Sequence, residues 1–104
     1  MLAKQVVLSQ IEILPSGVIQ VRLDKQVVDG DRVLAREYHR TIFEPGVDPD
    51  TQAAAVDAHL VQMGYVVADP AVWAKVKKIV ALEHTPQVIA AHEAARAAVQ
   101  AAVT

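Results

Sequence analysis

The chain has 104 residues, with 10 Lys and Arg, 12 Asp and Glu, a net charge of −2 and no Cys. This length predicts a single domain over residues 1–104 with one core. The absence of Cys excludes disulfides, thiolate metal sites and thiol nucleophiles. The acidic balance argues against nucleic-acid binding through bulk phosphate neutralisation, because that mode needs a basic surplus.

The apolar runs are far shorter than the roughly 20 residues of a membrane span, so we expect a soluble chain with no membrane partner. The start, Met1 to Gln5, does not have the pattern of a signal peptide. The apolar content comes from 18 Ala and 18 Val, whereas Phe, Trp and Tyr together number four. Such small side chains predict a thin core, which would gain stability from a partner surface.

The first part of the chain, residues 1–44, predicts a three-stranded antiparallel meander. Its strands are expected at residues 6–14, 18–28 and 33–43, because this region is rich in β-branched residues. Apolar and polar residues alternate cleanly in the second strand and less cleanly in the third. Pro15-Ser16-Gly17 and Asp29-Gly30-Asp31 are the expected turns. Strands followed by helices make the predicted fold class α+β.

The third strand carries polar groups on both faces, so one face is expected to be open or at an interface. One interpretation is cross-strand ion pairing of Arg22 or Arg36 with Glu12 or Glu37, which stabilises little. The other is a contact patch for another protein, since Tyr and Arg anchor interfaces. The candidate contact residues in the strands are Arg22, Arg36, Tyr38, His39 and Arg40.

Residues 45–104 predict a loop and then about three helices. Asp50 or Thr51 is expected to cap the first helix and Gly64 to end it. Its apolar stripe is Ala53, Val56, Leu60 and Met63. Asp69-Pro70 is expected to open the second helix, with an inner stripe of Val72, Trp73, Val76, Ile79 and Val80, and Trp73 is a further candidate contact residue.

Thr85-Pro86 opens the predicted third helix, which is rich in Ala. Its residues Val88, His92, Ala95, Val99 and Ala102 follow the alternating spacing of a coiled-coil seam. Self-association through this seam and packing on the domain's own sheet are both consistent with the pattern. Its candidate contact residues are Val88, His92, Ala95 and Val99.

Motifs for catalysis are absent from the sequence. The four His do not pair at helical ligand spacing, neither Ser lies in a nucleophile elbow, and the four Gly build no phosphate-binding loop. We therefore predict no catalytic residues, no metal and no cofactor. A small metal-dependent or hydrolytic enzyme using His39 and Glu37 remains an alternative interpretation.

Several motifs follow one another in an order that resembles a group of short proteins encoded among the virion structural genes of tailed bacteriophages. The segments that carry the resemblance are residues 10–13, 19–22, 29–30, 38–40, 45–48 and 84–92. The stretch from about His59 to Leu82 is longer than in that group, which suggests an inserted segment with its own contact.

The resemblance implies a place in a phage particle, with synthesis in the host cytoplasm, and it supplies no catalytic residues. The expected function is a non-enzymatic virion component, a small multi-copy tail, tail-tip or fibre-associated protein. Its expected partners are other phage tail proteins and copies of itself, and a trimer would suit the short helical seam. The alternative is a non-virion assembly factor or chaperone that acts in the infected cell.

Overall fold

The computed structural model describes residues 1–67 and 69–103. Three long strands come first, β1 (Leu2–Ile13), β2 (Ile19–Asp29) and β3 (Arg32–Phe43). They are followed by α1 (Pro49–Gln62), the short strand β4 (Val66–Val67), α2 (Ala71–Glu83) and α3 (Pro86–Val103). The predicted α+β class with an N-terminal antiparallel meander is confirmed. Within the described residues, no helix is both long and apolar enough to cross a membrane.

The sheet has the order β3-β2-β1-β4, so β2 lies between two antiparallel partners. The glycines predicted for the two hairpin turns, Gly17 and Gly30, have φ values of 90° and 61°, which favour glycine. β4 was not predicted from the sequence. It adds parallel to β1 through Gln5 and Val6, and a strand of two residues has no alternation that a sequence pattern could reveal.

The core lies between one face of the sheet and the helices α1 and α2. Ile19, Val21 and Leu23 of β2 are completely buried there, as are Leu60 of α1 and Val76 of α2. The predicted apolar stripes of both helices are confirmed, because their residues are either buried or pack against this core. We call the opposite face of β1, β2 and β3 the open face, since none of the helices in the described part of the chain packs on it.

α1 and α2 both begin at an Asp that precedes a Pro. α1 begins two or three residues earlier than predicted, because Asp48 is its cap. The Asp48 carboxylate accepts hydrogen bonds from the Asp50 amide at 3.0 Å and the Thr51 hydroxyl at 3.0 Å. The prediction of Asp50 or Thr51 as the cap was therefore wrong. Asp69 accepts a hydrogen bond from the Ala71 amide at 2.9 Å, as expected for the opening of α2.

α3 is attached to the domain near its N-terminus. His84 Nε2 donates a hydrogen bond of 2.7 Å to the carbonyl of Gly17, in the turn between β1 and β2. Thr85 caps the helix by accepting from the Val88 amide at 3.2 Å. The chain is elongated as a result, with a radius of gyration of 16.2 Å, whereas a compact domain of this length has about 13 Å.

The contact of α3 with the first turn predicts unequal effects for two glycine substitutions. A Cβ at Gly17 would lie 2.5 Å from Cγ1 of Val88, whereas a Cβ at Gly30 would meet nothing within 4 Å. Both substitutions place an alanine at a positive φ, which strains the backbone. Only the alanine at position 17 also collides with α3, because the Val88 side chain has little freedom at χ1. We expect Gly17→Ala to lower the free energy of unfolding by about 1–3 kcal/mol more than Gly30→Ala in urea titrations.

Hydrogen exchange at residues 86–92 is the second readout for this pair of variants. Exchange should accelerate in Gly17→Ala and remain unchanged in Gly30→Ala, because only the first variant disturbs the attachment of α3. Equal destabilisation and equal exchange in the two variants would show that α3 does not rest on this turn.

Candidate protein-contact surfaces

The open face carries a set of polar cross-strand rows. Register pairing places Arg22 of β2 opposite both Gln10 and Arg40, and Asp24 opposite both Val7 and Tyr38. Neighbouring residues along a strand alternate between faces, so all the members of these rows point away from the core. The structure thus brings together four of the predicted contact residues, which are Arg22, Arg36, Tyr38 and Arg40.

A hydrogen-bonded network fills the middle of the open face. Gln5 donates to Gln26 at 2.9 Å, and Gln26 in turn donates to Oδ2 of Asp24 at 2.9 Å. Nε of Arg36 lies 3.6 Å from the same oxygen. The Asp24 side chain is only 7% exposed, and its Oδ1 has no hydrogen-bond partner. A buried carboxylate needs compensation, and Arg36 supplies the neighbouring charge.

The ion pairs differ from those proposed from the sequence. Arg36 pairs with Asp24 across the strands, and Glu37 lies 3.8 Å from Nζ of Lys25. Among the described residues, neither Arg22 nor Arg36 forms an ion pair with Glu12 or Glu37. Ionic pairing therefore accounts for Arg36, whereas Arg22 and Arg40 form no ion pair with any carboxylate of residues 1–67 and 69–103.

Tyr38 and two arginines form an aromatic and cationic cluster on the open face. The guanidinium carbon of Arg22 lies 4.3 Å from the centroid of the Tyr38 ring, and that of Arg40 lies 5.8 Å from it. Tyr38 nevertheless remains 42% exposed. Stacking holds the arginine side chains in place and so lowers the entropy that they would lose on binding a partner.

His39 belongs to a different surface from the other β3 candidates. It lies opposite Leu23, on the helix-covered face, and its ring centroid is 5.6 Å from that of His59 in α1. Burial lowers the pKa of His39 below 6.5, and the charge of Lys25 and the nearby His59 lower it further. His39 is therefore not part of the patch with Arg36, Tyr38 and Arg40.

The lowered pKa of His39 predicts a pH dependence of stability. The unfolded chain, with a His39 pKa near 6.5, binds more protons than the folded chain in the window below that value. Folding stability should therefore fall as the pH drops through 6.5 and level off below the folded-state pKa. Urea titrations from pH 7.5 downwards should show a smaller loss for His39→Gln than for the natural chain.

Proton NMR titration of the His39 ring provides the direct measurement of this pKa. The His59→Gln variant should titrate at a higher pH than the natural chain, because one of the neighbouring charges is gone. A His39 that titrates at 6.5 or above in the natural chain would contradict this account.

Trp73 is placed between the helices rather than on a free surface. Its indole Nε1 donates to Oδ1 of Asp57 at 3.4 Å, and the side chain packs against the core between α1 and α2. The structure gives Trp73 a role in fixing the two helices. The segment from His59 to Leu82, which looked like an insertion, thus supplies β4 and most of α2 to the domain itself.

The α3 candidates divide into an attached half and a projecting half. Val88 and His92 are partly buried, and His92 Nε2 lies 3.7 Å from Oε2 of Glu44. Ala95 is exposed, and Val99 is 64% exposed. Together with Ser16, three of these residues, His92, Ala95 and Val99, line a groove of about 450 Å³ beside the helix. We call Val88, His92, Ala95, Val99 and Ala102 the α3 stripe.

The side chains of the described residues form no group of three or more His, Asp or Glu that could hold a metal ion. Glu37 and His39 share a face, but Glu37 points to Lys25 and His39 to His59. Comparison of the chain with protein-family models, with curated protein sequences and with solved structures gave no match.

Sequence reasoning missed the buried polar residues of β2, which are Asp24, Lys25 and Gln26. Three consecutive polar residues in a central strand were the available signal, because both faces must then hold a polar group. Lys25 reaches Glu37 and lies 5.7 Å from the Tyr65 ring on the helix side, whereas Asp24 and Gln26 form the network of the open face.

Proposed function

We propose that this chain is a non-enzymatic structural subunit of a tailed-phage particle, a small multi-copy tail or tail-tip component held by larger tail proteins. The observation that carries the proposal is α3, an 18-residue helix with no buried residue. The resemblance of the ordered motifs to short phage virion proteins supplies the setting.

A helix that buries so little of its surface against its own domain is stabilised strongly by contact with a partner. Isolated helices shorter than about 12–15 residues are marginal in water, and the part of α3 beyond His92 is shorter than this. The α3 stripe has the spacing of a helical seam, and small Ala side chains allow close approach of a second helix. Copies of the same chain provide an identical stripe, so the proposal places α3 in a homo-oligomer.

The open face supports a second contact, with a different protein. Tyr and Arg are the residue types that most often anchor interfaces, and here Tyr38, Arg22 and Arg40 form one exposed cluster. Such a face suits a subunit that joins its own copies through α3 and a neighbouring tail protein through the sheet.

Mass spectrometry of purified phage particles tests the proposal. The chain should be present in several copies per particle, and Val99→Glu should reduce its content by about tenfold, because a charge would be buried in the α3 seam. Ala97→Glu is the matched control. It places the same charge on the opposite side of α3, so its particle content should equal that of the natural chain.

Two other outcomes would contradict the proposal. Presence in infected-cell lysates but not in purified particles would identify an assembly factor or chaperone. Equal incorporation of both α3 variants, with circular dichroism showing that both are folded, would show that the α3 stripe is not a contact in the particle.

A further inference from the structure

The strongest unassigned feature is a pair of arginines that face each other across the open face. Arg22 and Arg40 are direct cross-strand partners, an arrangement in which two like charges repel and destabilise the sheet. Arg36, two rows away on the same face, has Asp24 as its counter-charge. Arg22 and Arg40 have no carboxylate within ion-pair distance among the described residues.

The hydrogen-bonding groups of this pair are largely unused. Nε of Arg22 donates to the Ser9 hydroxyl at 3.2 Å, which orients the guanidinium and leaves its terminal nitrogens for another acceptor. Stacking on Tyr38 fixes the same guanidinium from the other side. A guanidinium held in this way is ready to bind a planar acceptor such as a carboxylate.

The two arginines line a groove of about 180 Å³ together with Gln10, Glu12 and Gln20. This volume is sufficient for a carboxylate group, and the glutamine amides can donate further hydrogen bonds. Glu12 is the only acidic residue of the lining, so the groove carries a net positive charge.

We propose that this groove binds a carboxylate side chain from an acidic segment of a partner protein. The inference rests on the proposed function, because it specifies which kind of tail protein the open face contacts. A carboxylate between Arg22 and Arg40 would remove their repulsion and form charge-assisted hydrogen bonds with both. The partner would then supply a carboxylate within ion-pair distance, which the described residues do not supply although Glu12 lines the same groove.

The charge distribution favours an acidic protein segment over a nucleic acid. Nucleic-acid binding needs several cations along a phosphate backbone. Here Glu12 lines the groove with the two arginines, Asp24 neutralises Arg36, and the chain has a net charge of −2. A single carboxylate requires only the two arginines of the groove.

Binding of a capped hexaglutamate peptide provides the test, with NMR of the arginine Nε–Hε signals as the readout. Signals of Arg22 and Arg40 should shift on titration, and Arg22→Gln or Arg40→Gln should weaken binding by about tenfold. Arg32→Gln is the matched control. Arg32 lies in β3, as Arg40 does, about 26 Å from it along the strand. The variant removes the same charge, and it should change the affinity for hexaglutamate less than about twofold.

Glu12→Gln is expected to change the affinity for hexaglutamate in the opposite direction. It removes the only acidic group of the groove, so hexaglutamate should bind more tightly to it than to the natural chain. Circular dichroism and the unchanged shifts of core methyl groups establish that each variant is folded.

Three results would overturn the inference. They are no shift of Arg22 and Arg40 at millimolar hexaglutamate, equally tight binding of a neutral hexaglutamine peptide, and tighter binding of the oligonucleotide dT6 through the same two arginines. The particle experiment remains a separate test. If the chain is present in particles but hexaglutamate does not bind, the acidic partner is wrong and the proposed function stands.

Discussion

The structure depends on the burial of one side of β2 beneath α1 and α2. Ile19, Val21 and Leu23 lie in β2, which has a long partner strand on each side, and they meet Leu60 and Val76 of the helices without any solvent exposure. Each such side chain contributes roughly 1.5–3 kcal/mol, so this single row holds the domain together. Among the described residues, α1 and α2 pack on this one apolar layer. The open face and α3 are positioned relative to it.

This one-sided packing explains why the open face is polar and why α3 is exposed. The open face receives no helix, so its polar groups must compensate one another, as Asp24, Gln26 and Arg36 do. Arg22 and Arg40 have no such ion pair among the described residues, and they are the groups for which we propose a partner. α3 also lies outside the core, because α1 and α2 already occupy the helix side of the sheet, and His84, just before α3, bonds to Gly17.

The main elements were predictable because each depends on local chemistry. Alternation identified the three strands, the apolar stripes identified α1 and α2, and glycines marked both hairpins. The start of α1 was misplaced because three neighbouring residues, Asp48, Asp50 and Thr51, can all cap a helix, and the structure shows that Asp48 does so. The same Asp-Pro pattern that identified the start of α2 would have selected it.

The candidate site was predictable only in part, because strand pairing is long-range. Alternation placed Arg36, Tyr38 and Arg40 on one face, but the partner of Arg36 depends on the register of β2, which brings Asp24 beside it. His39 was grouped with these residues by its position in the sequence, although alternation places it on the opposite face. The contact of Trp73 with Asp57 could not be predicted, since it depends on how two helices cross.

The central claim is that copies of this chain cover the α3 stripe, and its most direct test is the molar mass in solution, measured by light scattering over a wide range of protein concentration. The account predicts a mass that rises with concentration from 11.2 kDa to a fixed multiple of that value, such as a trimer. A mass of 11.2 kDa at every concentration would contradict it.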